Sequence, residues 1–287
     1  MAEGAAAKID LHCHSTASDG TLSPAAVVQR AAEQGVALLA LTDHDTLSGQ
    51  AEAFRAAAAL PLKLISGVEV SADFHGRVLH VVGLDVRLDA DTPLARGLAE
   101  SDRLRRERGA VMQDRFVRKG MADVAERAEA LCQQGQALTR THFARALVEL
   151  NHCQNLQQAF DRWLGQGRPC YCKAQWPALE QVVDWITASG GAAVLAHPLR
   201  YRLSGAWIRR VLTAFVQAGG CALEVVTGRN DPDGVRRAAQ WASSFDLLGS
   251  AGSDFHTPEY PWLELGRLQP MPAGIRPLWS RWLEPPA

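Results

Sequence analysis

The feature that most constrains this chain is a recurrence: short apolar runs that end in, or carry near their ends, histidine or a carboxylate. The first is Ile9-Asp10-Leu11-His12-Cys13-His14. Val36 to Leu41 runs into Thr42-Asp43-His44-Asp45, and Leu62 to Val70 carries Glu69. Ala192 to Ala196 leads to His197-Pro198, and Leu247 to Ala251 leads to Gly252-Ser253-Asp254-Phe255-His256. Continuous apolar runs of this length suit strands buried on both faces of a parallel sheet. Residues two apart on a strand point to the same side, so His12 and His14 can project toward one point. Two converging imidazoles are a natural start for a metal site.

Helix signals separate the runs. Ser23-Pro24 supplies an N-cap and a proline at the first helical position, and Gly35 stops that helix. An alanine-rich helix is expected over about Leu47 to Leu60, and others over Pro177 to Ser189, Ala206 to Gln217 and from Asp231-Pro232. Arg77 to Val86 reads as a further strand bearing His80, and Ala222 to Thr227 as another. About seven strands alternating with helices predict a barrel-like α/β fold, whose chemistry sits at the C-terminal ends of the strands.

Residues 93–167 break the rhythm, with several helical stretches and no convincing strand. With 287 residues, 47% of them hydrophobic, the chain can bury one large α/β domain carrying an insertion. The expected division is a barrel of residues 1–92 and 168–287 around a helical cap of residues 93–167. A net charge of -1 gives no global attraction for nucleic acid or an anionic membrane, so an anionic substrate must be drawn in locally. Six cysteines without a C-x-x-C pair read as reduced thiols. Met1 to Ala7 has no signal-peptide pattern, and no apolar run approaches the ~20 residues of a membrane span. A cytoplasmic protein is expected.

A single histidine or aspartate at a strand end is ordinarily a cap or a satisfied polar group. That is the better reading of His80 or Asp19 taken alone. It fails for the ensemble, because five strand ends carrying imidazole or carboxylate bury a costly polar cluster with nothing to satisfy it. Divalent metals resolve that cost, and mixed histidine and carboxylate donors without paired thiolates suit zinc, manganese or iron. His75, His142 and His152 fall in a turn and in the helical segment and receive no role.

These motifs together resemble the PHP (polymerase and histidinol phosphatase) domain family. They are Asp10-Leu11-His12-Cys13-His14, Ser18-Asp19-Gly20, Thr42-Asp43-His44-Asp45, Gly67-Val68-Glu69, His80, Ala196-His197-Pro198 and Gly252-Ser253-Asp254-Phe255-His256. The resemblance covers most of the chain. In the cap, Thr139-Arg140-x-His142 and Gly167-Arg168-Pro169-x-Tyr171 are similar to the stand-alone bacterial phosphoesterases of the family. The resemblance implies a distorted seven-stranded (β/α) barrel with two or three divalent ions, manganese first, with iron and zinc as alternatives. It implies one site of His12, His14, Glu69 and Asp254, a second of Glu69, His80 and His197, and a third of Asp19, His44 and His256.

The resemblance further implies a phosphomonoesterase that uses metal-activated hydroxide on small nucleotides such as 3′,5′-nucleoside bisphosphates. Asp254 is the candidate for proton handling, with His197 or His256 protonating the leaving group. Lys173, Arg200, Arg140 and Asn230 are candidate phosphate contacts, and Tyr171 or Trp176 could stack on a base. Arg103, Arg105, Arg106 and Arg108 alternate with Glu100, Asp102 and Glu107, which suits an exposed helix face. Alternatives are a 5′-3′ exoribonuclease on short RNA, a histidinol phosphate phosphatase, and a non-catalytic PHP scaffold. Beyond the substrate, neither a stable nucleic-acid complex nor a membrane partner is expected, and the oligomeric state is left open.

Overall fold

Local signals set the first elements. Strand β1 (Lys8–Asp10) is followed by helix α1 (Pro24–Glu33), capped where the Ala26 N–H donates to the Ser23 hydroxyl at 3.2 Å. Val27, Val28 and Ala31 form its buried stripe. Strand β2 (Val36–Ala40), helix α2 (Gln50–Ala57) and strand β3 (Lys63–Ile65) complete a parallel sheet in the order β1-β2-β3. Helix α2 is shorter than its alanine content predicts. Its first residue, Gln50, instead spends its buried side-chain amide on the carbonyls of Leu41 (2.8 Å) and Gly67 (2.7 Å).

The second sheet is mixed. Strand β4 (Gly67–Phe74) pairs antiparallel with β5 (Arg77–Leu84), which pairs antiparallel with β6 (Ala192–Leu195). Strands β7 (Ala222–Thr227) and β8 (Leu248–Gly252) follow in parallel. Between β5 and β6 lie helices α3 (Pro93–Arg118), α4 (Ala122–Leu131), α5 (Arg140–Glu149), α6 (Leu156–Ala159) and α7 (Leu179–Ala188); α8 (Gly205–Gln217) and α9 (Pro232–Ser244) follow β6 and β7. These are the elements of a computed structural model that describes residues 7–132, 136–228 and 231–283.

Eight strands are found among the described residues, against the seven expected. The extra strand arises because the run Leu62–Val70 breaks at Ser66. There the Ser66 hydroxyl donates to the Val86 carbonyl at 2.6 Å and the Asp85 N–H donates to the Ser66 carbonyl at 2.7 Å. The chain therefore leaves the first sheet at β3 and enters the second at β4. Gly67 allows this, since a Cβ there would lie 2.8 Å from the Leu41 carbonyl oxygen. Backbone bonds also link the two sheets at both edges. Leu11 N–H donates to Ala251 O at 2.9 Å and Asp254 N–H to His12 O at 2.7 Å; on the other side Asp45 N–H donates to Glu69 O at 2.9 Å.

The chain divides into two compact units, Met1–Leu98 with Pro177–Ala287, and Ala99–Trp176. In the first, Ile9, Leu38 and Ala40 of one sheet pack with Val82, Leu84 and Val194 of the other. The second has its own core, built on Met112, Phe116, Phe143 and Leu164.

Candidate metal centre

The donor-bearing side chains of the first unit converge on Glu69. It sits on β4, fully buried, and one carboxylate oxygen lies 2.9 Å from both His80 Nδ1 and His197 Nε2, and 3.3 Å from His12 Nε2. The other lies 3.0 Å from His44 Nδ1 and 3.4 Å from His14 Nε2. Asp254 Oδ1 is 3.1 Å from His14 Nε2, 3.5 Å from His12 Nε2 and 3.6 Å from His256 Nδ1. Asp19 closes the far side, 3.4 Å from His256 Nε2.

Four overlapping groups have donor atoms within 4.8 Å of one another: His14-Asp19-His44-His256, His12-His14-Asp254, His12-Glu69-His197 and His44-Glu69-His80. They contain all nine residues singled out from the sequence. The grouping differs from the three sets implied by the resemblance, because His14 also joins the Asp19 group and His44 also joins Glu69 and His80. The residues form one continuous cluster suited to several ions.

The donor set fits divalent metals. His12 Nε2, His14 Nδ1, His197 Nδ1 and Glu69 Oε2 are buried and make no hydrogen bond, a cost that ligation removes. Two of the imidazoles agree in protonation state. Burial, with His256 and His44 nearby, pushes the His14 imidazole down to about 3. Burial, against the pull of Glu69, takes His80 down to about 4. Both are neutral, as a ligand must be. Burial opposes the charge on Glu69 and Asp254, but neighbouring imidazoles and a guanidinium hold both well below the usual carboxylate range: His80, His12 and His44 for Glu69, and Arg200, His256 and His12 for Asp254. His12 is buried and His256 partly so, yet the carboxylates raise both, His256 to about 9, so a metal would displace a proton from each on binding.

Strained backbone aims several of these groups. Asp45, His197 and Asp254 have positive φ of 51°, 28° and 55°, a conformation that costs non-glycine residues ~1–3 kcal/mol. Each is held by its own N–H: Asp45 to Glu69 O, Asp254 to His12 O, and His197 to the Glu224 carboxylate at 2.5 Å. Carboxylates outside the cluster shape the loops. Asp43 accepts from the Ser15 N–H (2.8 Å), the Ser15 hydroxyl (2.7 Å) and the Ser18 hydroxyl (2.7 Å), which folds the turn presenting Asp19. Asp10 accepts from the N–H groups of Ser253 and Gly266, both at 2.9 Å.

Two residues escaped the sequence reading. Glu224 lies within β7, all of which is buried; its other oxygen is 3.0 Å from His12 Nδ1. A register shift follows it in the pairing with β8, of the kind that re-aims side chains. The available signal was a lone carboxylate in an apolar run. Tyr201 is the other: its hydroxyl accepts from His80 N–H and donates to the Ala196 carbonyl, both at 2.9 Å.

Of the candidate substrate contacts, Arg200 is exposed and its guanidinium pairs with Asp254. Tyr171, Lys173 and Arg140 belong to the second unit. The Tyr171 carbonyl accepts from Arg115, Lys173 is exposed, and the Arg140 guanidinium lies 5.7 Å from the centre of the Phe160 ring. Trp176 is buried beneath Arg105 and Arg108, at 5.1 and 5.9 Å. Burial, with Arg140 and Arg105 nearby, pushes the Arg108 guanidinium down to about 9. Asn230 lies outside the described residues. No helix is long and apolar enough to cross a membrane among the described residues.

Comparison with known proteins fits this geometry. The chain is 42% identical over 275 residues to a 5′-3′ exoribonuclease of Haemophilus influenzae, covering 96% of this chain and 98% of that one. It is 40% identical over 273 residues to a 3′,5′-nucleoside bisphosphate phosphatase of Chromobacterium violaceum, covering 95% of each. A structure of an amidohydrolase from Chromobacterium violaceum, with bound sulfate and no metal, superposes with a TM-score of 0.91 at 39% identity, covering 96% of this chain and 95% of that one. Residues 10–227 match the PHP domain, and the chain belongs to the PHP domain family.

Proposed function

We propose that this protein is a metal-dependent phosphoesterase that removes phosphate from a small nucleotide, with 3′,5′-nucleoside bisphosphates as the leading substrates. The observation that carries this reading is the convergence of nine ligand-type side chains around Glu69, with Arg200 at the edge of the cluster. His12, His14, Asp19, His44, Glu69, His80, His197, Asp254 and His256 would hold two or three ions, with manganese the leading choice. Such ions, when bound, lower the pKa of water to near neutrality and neutralise charge on phosphate oxygens.

The chain's own groups do the rest. Arg200 carries a permanent guanidinium that can exchange its contact with Asp254 for a phosphate oxygen, a charge-assisted bond. Asp254, released from that contact, has Oδ2 free to hold a proton. His256, beside it, and His197 are the candidates for delivering a proton to the leaving oxygen. In the helical unit, Arg105 and Arg108 lie over the Trp176 ring and Arg140 over Phe160. Lys173, Tyr171 and Arg140 of that unit and Asn230 are the further candidate substrate contacts carried by the sequence. The backbone bonds between the two sheets support reading them as halves of one distorted barrel. Six free thiols suit a reducing, cytoplasmic setting.

A second reading, 5′-3′ exoribonuclease on short RNA, is favoured by the similarity to the Haemophilus influenzae enzyme. A non-catalytic scaffold is disfavoured, because no member of the ligand-type set is missing. The test is phosphate release by manganese-loaded protein from 3′,5′-adenosine bisphosphate, 5′-AMP, 3′-AMP, histidinol phosphate and a 5′-phosphorylated RNA trimer. Strong turnover of the bisphosphate with poor monophosphates supports the leading reading, and preference for the trimer moves it to the second. No turnover with metal bound would overturn both.

A further inference from the structure

We propose that Arg77, Trp207 and Arg210 form a backbone-binding surface for single-stranded RNA that extends beyond the nucleotide held at the metal centre. This rests on the phosphoesterase reading of that centre and specifies which substrates it accepts. The Arg77 and Arg210 guanidiniums lie 4.4 and 4.6 Å from the centre of the Trp207 ring. The His75 ring stands edge-on to the same indole, 6.3 Å away. Both arginines are exposed. Among the described residues neither forms an ion pair with a carboxylate, whereas Arg103, Arg106 and Arg118 of α3 do so within their own helix. Helix α8, which carries Trp207 and Arg210, has no acidic residue. Asp73, close to Arg77 in the β4–β5 hairpin, accepts the Gly76 N–H at 2.9 Å.

The place of the patch matters as much as its charge. Val81 pairs with Leu195 in the antiparallel β5–β6 ladder, so the start of β5 projects past the C-terminal end of β6, the end that bears His197. Arg77 precedes His80 by three extended residues, ~10 Å along the strand, and stands on the opposite face of β5, the face of Leu79 and Val81. The turn Pro198–Tyr201 sends Arg200 to Asp254 and then runs within a few residues into α8. Arg77 and Arg210 thus lie at the end of the sheet that bears His197, on the side of β5 that packs against α8. A mononucleotide at the centre leaves the outer pair unused, whereas a chain of several nucleotides extends toward it. Guanidiniums stacked on an indole are held flat, with N–H groups for phosphates and outer faces on which bases stack. The near-zero net charge of the whole chain makes this local surface the means of holding a polyanion.

The test compares metal-loaded wild type with R77A/R210A on a 5′-phosphorylated RNA pentamer and on 3′,5′-adenosine bisphosphate, each between 0.05 and 0.2 M salt. For the pentamer, the plot of log kcat/KM against log salt becomes shallower by about 1.4, from ~0.7 per lost single-strand contact, which is roughly sevenfold over that range. For the bisphosphate the two proteins share one slope. R77K/R210K, which keeps both charges, retains most of the pentamer slope. Equal pentamer slopes in wild type and R77A/R210A, or an equal change on both substrates, overturn the proposal. Should wild type turn over neither substrate, the phosphoesterase reading fails by itself. Anisotropy of a fluorescent RNA pentamer bound to each protein across the same salt range then decides the surface separately: equal slopes there overturn it.

Discussion

Replacing Glu224 by glutamine takes one acceptor from a carboxylate that serves two donors. The residue is 2% exposed, with one oxygen on His12 Nδ1 at 3.0 Å and the other on the His197 N–H at 2.5 Å. The first contact would keep a proton on His12 Nδ1, so that a bound metal takes Nε2, which faces Glu69 and Asp254. The second holds His197 in its strained backbone conformation. Glutamine has one carbonyl oxygen, so its NH2 group must face one of those donors. A buried donor left without a partner costs ~1–3 kcal/mol, roughly 5- to 150-fold in an equilibrium that needs both groups in place. Loss of a carboxylate behind a metal-binding histidine ordinarily costs ~10–100-fold in metal affinity. The expected outcome is therefore a 10- to 100-fold weaker ion affinity in E224Q. It is measured by titrating metal-free wild type and variant with manganese or zinc against a chromophoric chelator. Elemental analysis supplies the stoichiometry and circular dichroism confirms the fold. A Glu224→Gln protein that binds metal within twofold of wild type, whether or not its Tm falls, would refute the positioning role.

Three further outcomes are expected. Arg200→Ala should lower kcat/KM on the best phosphoester by ~10–150-fold, the equivalent of a charge-assisted bond worth ~1.5–3 kcal/mol, and Arg200→Lys should recover only part of it; unchanged kinetics remove Arg200 from the site. Gly252→Ala should abolish or sharply reduce metal content, because a Cβ there would stand 2.2 Å from His12 Cβ; full metal occupancy in that variant contradicts the packing argument. In native alkylation followed by mass spectrometry, Cys172 should react well before Cys170. The latter is fully buried and burial lifts its thiol to about 11; equal labelling rates contradict this placement.

Much of the fold and of the cluster was legible because both depend on short-range pattern. The apolar runs mark β1, β2, β6, β7 and β8, and the period of two puts His12 and His14 on one side of the chain. Ser23-Pro24 and Asp231-Pro232 mark helix starts by a mechanism confined to three or four residues, and both helices begin there. The break at Ser66 was not legible. It depends on bonds to Asp85 and Val86, some twenty residues away, that no local pattern encodes. Glu224 stayed hidden for a similar reason: its chemistry comes from partners 212 and 27 residues distant.

The sequence by itself determined the class of fold, the residue types that gather at strand ends, and therefore the kind of chemistry they can support. Those follow from periodicity and from donor chemistry, which belong to single segments. Only the tertiary structure decided how the donors share space. It set Glu69 among five imidazoles, ran the expected sets into one cluster, and turned Glu224 and Tyr201 onto the histidines that need them. It also brought Arg77 from a hairpin and Arg210 from a helix onto one indole. The physical reason is range. A strand's period constrains neighbours within a few ångströms along the chain, whereas ligand geometry and paired charges depend on distances between segments that meet only when the sheets pack.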